Sequence, residues 1–463
     1  MARPLERLLQ VSRAFKSTLH PRRLGKGAVA VFVVVVVFLY WFRSWGLRRI
    51  PDVGEPFDIV AAAHVDVPVD QNAFGLYRRA SAALRPLGSE LREQFSEEIR
   101  NGWEHIPVPY RQWLEENRHA LELYRQGTVR LQALYIQPGE QSQDAQLTVT
   151  QSLRDLSRLA QLEALRLEAS GDFRGAWESY RSILQSSRHS GCNGCLIERL
   201  VGCAIHSRVT KQIARWSSLR GVDATLLRTA FAEVREIYSH TSPASGTIQV
   251  EYLLLRQLFV DQSLLDKCLE NRGGIPPHLV WRAMWLAGEP ETSRRAASIV
   301  FANWLSQCDR PREQRAPIRT KYGTVFLPDP TAGPLMSPAM PQLLEDWLEA
   351  ALIHDLIMSY VPQLIVAIDR EDARQRLIET TLALQVYRSE RGFFPESLEH
   401  LVGDLMAVLP TDPFDAGGAL RYRRDAEGAT VWSIGDDEID DGAEVDLVDD
   451  GVHGDIIIQV KAP

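Results

Sequence analysis

The chain has 463 residues, of which 45% are hydrophobic and 24% are charged. That composition is typical of a folded globular protein and excludes collagen-like or wholly disordered chains. With 60 acidic and 52 basic side chains the formal net charge is −8, which argues against a general nucleic-acid-binding protein.

An apolar run follows a basic N-terminal tail. Residues 1–26 contain seven Lys or Arg and one acid, Glu6. From Gly27 to Phe42 there is no charged residue, and eleven of the sixteen are Val, Phe or Leu, which favours membrane insertion by about 4 kcal/mol. We predict a transmembrane helix over residues 27–47, with Tyr40 and Trp41 in an aromatic belt at its far end.

The charge distribution predicts the orientation of this helix. Basic residues are concentrated before the run, so the positive-inside rule places the tail in the cytoplasm and the chain from residue 48 onward outside it. A cleaved signal peptide is the alternative, but the residues after the run, Arg43 and Trp45 among them, are basic or aromatic rather than small. We therefore expect an uncleaved, single-pass anchor in the cell membrane.

Residues 48–309 are predicted to form an exported all-helical domain of antiparallel hairpins, because apolar residues recur there at every third or fourth position. Residues 164–184 resemble the middle of a tetratricopeptide repeat, with Gly171 at the helix crossing and Ala176 and Tyr180 on the second helix. A true repeat implies a concave partner-binding surface. No neighbouring copy follows at a 34-residue period, which favours an ordinary helical hairpin.

Five cysteines are too few for a disulfide scaffold of this length. Cys192, Cys195, Cys203 and His206 have the residue types of a zinc site. Their steps of three and four predict one face of a single helix, where four ligands do not converge on a tetrahedral ion. Buried helix packing is the favoured interpretation, and a local disulfide or redox pair and a zinc site are the alternatives.

Two segments then lead to the C-terminal region. Residues 310–341 contain seven of the 25 prolines and are predicted to be a connector or surface loop. Residues 342–370 return to an apolar helical pattern, which Pro362 is expected to kink or divide.

Residues 371–463 are predicted to form a small α+β module with a short antiparallel sheet. A helix ends near Arg391, where Gly392 follows. Alternation at Leu420 and Tyr422 and again at Thr430, Trp432 and Ile434 predicts a β-hairpin, and residues 455–460 predict a last strand. The fold class is thus mainly α, with a transmembrane helix, a large helical domain and this module.

The motifs of this module follow one another in a family-specific order. They are Tyr387, Gly392, Phe394 and Pro395; Ser397, Leu398 and Leu401; Leu409 to Phe414; Tyr422; Trp432, Ser433, Gly435 and Asp437; and Gly454, Asp455 and Ile456. This order resembles the C-terminal region of the type II secretion major pseudopilins. The resemblance covers about 90 residues and implies a pilin-like fold with a calcium ion between its last strands.

The acidic segment agrees with that implication. Ten acidic residues and no Lys or Arg lie between Asp436 and Asp455, while the rest of the chain sums to +2. Calcium takes six to eight oxygen ligands, which such a loop supplies. An EF-hand register fails at Ile439 and Val448. By resemblance, Asp437 and Asp455 align best as structural Ca²⁺ ligands, and Asp440 and Asp441 are additional ligands. A solvated acidic loop that binds no metal is the alternative.

Searches for common catalytic patterns favour a non-catalytic role, since no HExxH, G-x-S-x-G, P-loop or G-x-G-x-x-G is present. The leading hypothesis is a membrane-anchored bacterial envelope protein that binds another envelope or secretion-system protein through its helical domain. The alternative is an anchored extracytoplasmic hydrolase with its site in that domain. No nucleic-acid partner is expected, and any small-molecule substrate is left open.

Overall fold

The computed structural model describes residues 26–260, 285–326, 354–444 and 454–461, apart from positions 49, 142, 287, 316, 321, 322 and 427. Across these residues the protein is mainly helical, with a small three-stranded antiparallel sheet near its C-terminus. This confirms the predicted fold class at that level. The N-terminal tail, Cys268 and most of the second half of the acidic segment lie outside the described residues.

Helix α1 spans Lys26–Leu47. Its 22 residues extend about 33 Å, enough for a bilayer core of about 30 Å. Residues Val29–Leu47 have a mean hydropathy of 1.9, and the side chains from Val29 to Gly46 are not buried inside the protein, whereas Leu47 is buried. In the described part of the chain it is the one helix long and apolar enough to cross a membrane.

Five short helices begin the body: α2 Ile59–Ala63, α3 Ala73–Ala83, α4 Ser89–Glu98, α5 Val108–Glu116 and α6 Arg118–Thr128. Side chains cap the first two, because Asp58 accepts bonds from the backbone N–H groups of Val60 and Ala61, and Asn72 accepts one from Phe74. Helix α3 packs against α6, where Gly127 gives the ring of Tyr77 the space that a side chain would occupy.

Four longer helices form the centre of the body: α7 Gln143–Ala169, α8 Phe173–His189, α9 Leu196–Ser217 and α10 Ala224–Ser239. Helices α7 and α8 make the predicted hairpin. Gly171 adopts a φ of +81° in the turn, and Asp172 caps α8 by accepting a bond from the N–H of Gly175. In the core, the rings of Trp177 and Trp216 stack with centroids 5.1 Å apart.

Helices α11 Ala244–Val260 and α12 Glu291–Leu305 enclose a second hydrophobic core. Tyr252 of α11 and Val300 and Trp304 of α12 are fully buried there. Ile50, just beyond α1, belongs to the same core. The C-terminal end of α1 is therefore continuous with the body.

The proline-rich connector predicted at residues 310–341 contains two short β-strands. Strands β1 Pro317–Thr320 and β2 Gly323–Phe326 pair antiparallel, with Ile318 opposite Val325. The predicted connector thus contains a short two-stranded sheet at residues 317–320 and 323–326. The β-branched residues Ile318, Thr320, Thr324 and Val325 favour strands, but the proline count outweighed them in the prediction.

Helix α13 runs from His354 to Arg391 without a break. The expected division at Pro362 is wrong. A proline inside a helix costs about 3 kcal/mol, but burial of the residues that follow it supports the helix: Leu364 and Ile365 lie in the second core, and Leu377 lies in the main one. The domain boundary proposed at residue 370 falls inside this one helix.

The C-terminal sheet has the order β3–β4–β5, with β3 Arg421–Arg424, β4 Gly428–Ser433 and β5 Ile456–Lys461, all antiparallel. Val431 of β4 and Ile458 of β5 face each other in register and are buried. Strand β5 packs on α9 and α13, and its apolar side chains belong to the same core as Trp177. The sheet and the main helices thus share one hydrophobic core.

Candidate functional site

The predicted calcium ligands lie close together in the sequence, but their carboxylates accept hydrogen bonds from different groups. Asp440 accepts bonds from Arg421 Nε at 3.0 Å and from Trp432 Nε1 at 3.0 Å. Asp437 accepts one from the N–H of Ile439 at 3.2 Å. Across the described residues no group of three or more His, Cys, Asp or Glu side chains is arranged to hold a metal ion. The calcium site stays a prediction.

Among the four predicted calcium ligands, Asp455 is the one that is fully buried. Its carboxylate accepts bonds from the N–H groups of Ala443 at 2.7 Å and Asp441 at 3.4 Å, which closes the acidic loop onto β5. Burial raises the pKa of Asp455, and the charges of Asp440 and Asp441 raise it further. The loop thus concentrates negative charge around a buried carboxyl group.

Asp412, from the Leu409–Phe414 motif, has a structural position. It is buried and accepts three hydrogen bonds: from Ser433 Oγ at 2.7 Å, from the N–H of Ile434 at 2.8 Å and from the N–H of Phe414 at 3.0 Å. These bonds attach the loop before the sheet to the end of β4. Asp412 therefore acts as a clamp, because its hydrogen bonds join the Leu409–Phe414 loop to the β3–β4 hairpin.

The cysteine pattern is not on one helix as expected. Helix α9 begins at Leu196, so Cys192 and Cys195 precede it, in a turn where Gly191 and Asn193 have positive φ angles. Small residues and this turn interrupt the periodicity that predicted a helix. Among the described residues, no disulfide bond includes Cys192, Cys195, Cys203 or Cys308.

Cys203 and His206 of α9 instead border a buried charge network. Glu371 of α13 bonds the guanidinium groups of Arg188 and Arg199, the latter at 3.4 Å, and accepts a bond from Cys203 Sγ at 3.3 Å. Each of these side chains is less than 8% exposed. Burial alone would raise the pKa of Glu371, but the two arginines lower it to about 2.

This network lacks the properties of a catalytic site. His206 Nε2 lies 2.8 Å from the hydroxyl of Tyr238, and burial, reinforced by the charge of Arg188, lowers the pKa of His206 to about 3. Burial and Glu371 raise the pKa of the Cys203 thiol. A neutral imidazole and an un-ionised thiol inside the core are inert. The network joins α8, α9 and α13.

A second buried acid lies at the N-terminus of α9. Glu198 accepts a bond from the N–H of Cys195 at 3.0 Å, as in a capping box. Burial raises the pKa of Glu198 to about 7, and the neighbouring charge of Glu251 acts in the same direction. Glu251 itself accepts a bond from the N–H of Leu196 at 2.6 Å.

The end of α1 is fixed to the body by arginine contacts. Arg43 lies over the ring of Trp285, 4.6 Å from its centroid, and donates to the carbonyl of Trp285 at 2.9 Å. Arg295 of α12 donates to the carbonyls of Leu47 at 2.9 Å and Ile50 at 3.0 Å. The bond to Leu47 gives a partner to the last carbonyl of α1, which has none within the helix.

A cavity of about 390 Å³ opens between α9 and β5. Its wall contains five basic residues, Arg100, Arg208, Lys211, Arg215 and Arg374, and no His, Asp or Glu. The hydrolase alternative needs converging His and carboxylate groups, so this cavity does not suit it. Sequence reasoning missed the cavity because its basic residues come from three separate segments and form no local motif.

No family model matches the chain, and no curated protein or solved structure is significantly similar to it.

Proposed function

We propose that this is a single-pass, membrane-anchored, non-catalytic protein of the bacterial envelope, which binds another envelope or secretion-system protein. Helix α1 serves as the anchor, residues 1–26 are cytoplasmic, and the body is extracytoplasmic. The observation that carries the proposal is the junction of α1 with α12: Arg43 on Trp285, and Arg295 on Leu47 and Ile50. An exposed apolar helix bonded in this way holds the body at the membrane surface.

The aromatic residues near this junction support the placement. Tyr40, Trp41 and Trp45 on α1 and Trp285 on the body are all exposed. Amphipathic aromatic rings favour the interface between lipid and water. The base of the body around Trp285 therefore contacts the headgroups in the proposed arrangement.

Reporter fusions to the full chain test the topology. We expect an alkaline phosphatase fused after the C-terminus to be active and the fusion to stay in membranes washed with alkaline carbonate. The matched variant replaces Val33 to Val37 with Ser, which removes the insertion signal, and its fusion should be inactive. An inactive wild-type fusion, or its release by carbonate, contradicts the anchor or its orientation.

Affinity purification tests the binding role. The full chain, tagged at its C-terminus and solubilised from membranes in mild detergent, should recover a specific envelope protein. A chain with the same anchor but without residues 48–463 is the control. Recovery of no envelope protein above that control opposes the proposal.

Calcium in the C-terminal module is a separable part of the proposal. It is supported by the crowding of Asp440 and Asp441 around the buried Asp455, because a divalent cation would offset that negative charge. Calcium should raise the Tm of the full chain in detergent, EDTA should reverse the rise, and Asp437→Asn should reduce it. An unchanged wild-type Tm contradicts calcium binding and leaves the anchor unaffected.

A further inference from the structure

Strand β5 is an edge of the C-terminal sheet and has a neighbouring strand, β4, on one side only. In an antiparallel pair, every second residue of a strand directs its backbone N–H and C=O groups away from its neighbour. Within the described residues, no backbone hydrogen bond joins Ile456–Lys461 to any element other than β4. The outer edge of β5 therefore presents a row of donors and acceptors on which a further strand can pair.

The two edges of this sheet differ in sequence. Strand β3, at the opposite edge, is Arg-Tyr-Arg-Arg, so three of its four side chains are charged. Strand β5 is Ile-Ile-Ile-Gln-Val-Lys, with its one charged residue at the end of the strand. Charged side chains on an edge strand oppose pairing with a further strand, whereas a long apolar edge permits it. Of the two edges, β5 is therefore the one suited to strand addition.

There is space beside this edge. The cavity of about 390 Å³ between α9 and β5 is lined by Ile456, Ile457 and Ile458, and a second cavity of about 310 Å³ is lined by Ile457, Ile458 and Gln459. Both cavities are also lined by Lys211 of α9. Because they share residues of the helix and of the strand, the two cavities form one groove that follows β5, with α9 as its other wall.

The helices beneath the sheet determine what can enter this groove. Strand β4 packs mainly on α13, whereas β5 packs on both α13 and α9, so α9 lies below the outer edge of β5. A second copy of the chain that paired its own β5 here would bring its α13 into the volume that α9 occupies. An extended segment that carries no helix layer avoids this clash. The geometry therefore favours a single peptide strand over a second copy.

We propose that the groove between α9 and β5 binds an extended segment of another envelope protein, which adds a strand to the C-terminal sheet. The backbone of that segment bonds the outer edge of β5, and every second side chain enters the space over α9, which Ser207 and Thr210 line. Apolar side chains at these positions contact Ile457. The inference rests on the proposed function, because it names the surface and the form of the partner that the body binds.

Hydrogen exchange resolved by residue tests whether the edge is free. In the full chain, held as a monomer in nanodiscs of phosphatidylcholine, we expect alternate amides of residues 456–461 to exchange quickly and the amides bonded to β4 to exchange slowly. Slow exchange of all of them in the monomer overturns the proposal, because another part of the same chain then covers the edge. Protection that appears only when the chain dimerises assigns the edge to a second copy and also overturns it.

A phage-displayed library of random peptides of about 12 residues, long enough to span β5, is the binding probe. Selection on the full chain should enrich peptides with apolar residues at every second position, and the synthetic peptide should slow the exchange of the fast amides of β5. N-methylation of alternate peptide residues deletes N–H donors and keeps the side chains, so one set should abolish binding and the other should preserve it. Absence of enrichment, or equal effects of the two sets, overturns the proposal.

A bulky substitution in the groove gives the matched test in the protein. Ser207→Trp fills the space over α9 with an indole and should weaken the selected peptide by about tenfold or more. Ser239→Trp places the same side chain at the exposed end of α10 and should leave the affinity unchanged; equal weakening by both variants contradicts the groove.

The affinity purification described above separates this proposal from the proposed function. An envelope protein that the wild type recovers and a folded Ser207→Trp variant does not recover supports the groove. Equal recovery by both contradicts the groove and leaves the binding role intact. Recovery of no envelope protein by the wild type contradicts the binding role itself.

Discussion

Replacement of Glu371 by Gln tests the buried charge network in the core. Glu371→Gln removes the negative charge that bonds both Arg188 and Arg199, each about 3% exposed. Loss of one member of a buried ion pair costs about 3–5 kcal/mol, because the remaining charges stay desolvated. A loss of that size lowers the Tm by about 3–5 °C, because unfolding a chain of 463 residues has an entropy of about 1 kcal/mol/K.

Thermal unfolding of the full chain in detergent, followed by circular dichroism at pH 7, measures this loss. Glu390→Gln on the same helix is the control, because its pair with Arg228 is exposed and contributes about 1 kcal/mol at most. The folded pKa of Glu371, about 2, lies below its ordinary value. Its stabilisation is therefore complete above about pH 4.5 and disappears as pH falls toward 2. Equal Tm values for the two variants would refute the reasoning.

Three further outcomes are expected. Glu198→Gln should have nearly the wild-type stability close to pH 4.5 and exceed it at pH 8 by up to about 3 kcal/mol. The carboxyl group ionises above about pH 4.5 in the unfolded chain, but its folded pKa is about 7, so the wild type loses stability as pH rises from about 4.5 to 7. A variant with a lower Tm than the wild type at pH 8 opposes this. In the Glu198→Gln variant, the Tm should fall between pH 7 and pH 5. The unfolded chain protonates His189 and His206 below about pH 6.5, whereas burial keeps their folded pKa values near 4 and 3. A Tm that stays constant over this range contradicts the prediction. Asp412→Asn should lower the free energy of unfolding measured in urea by about 1–3 kcal/mol. Asp415→Asn, at the partly exposed ion pair with Arg421, should lower it less; similar losses in both would count against the clamp.

Local patterns predicted much of the fold. The apolar run at 27–47, the hairpin around Gly171 and the end of α13 at Arg391 each depend on residues close in sequence, and the structure has a helix or a turn at each. The hairpin at 317–326 was missed because prolines dominated the composition. The continuity of α13 through Pro362 was missed because it depends on tertiary burial of Leu364 and Ile365, which no local propensity contains.

The functional surfaces were less predictable. The acidic segment is contiguous and visible in the sequence, yet Asp440 bonds Arg421 and Trp432, partners that only the fold brings near. The basic cavity combines Arg100, Arg208 and Arg374, which are separated by more than a hundred positions in each step. Basic residues that are far apart in the chain and meet in the fold follow no sequence period. Only the three-dimensional structure shows that they lie close together.

The position of β5 after every described helix affects how the protein folds. Its side chains at Ile456 and Ile458 complete the core that α9 and α13 also form, so that core stays open until β5 has been synthesised. During that interval the apolar faces of both helices are exposed to solvent and to other chains. Folding therefore requires protection of the chain until β5 is made, and a truncation just before Ile456 would leave a product that cannot close its interior.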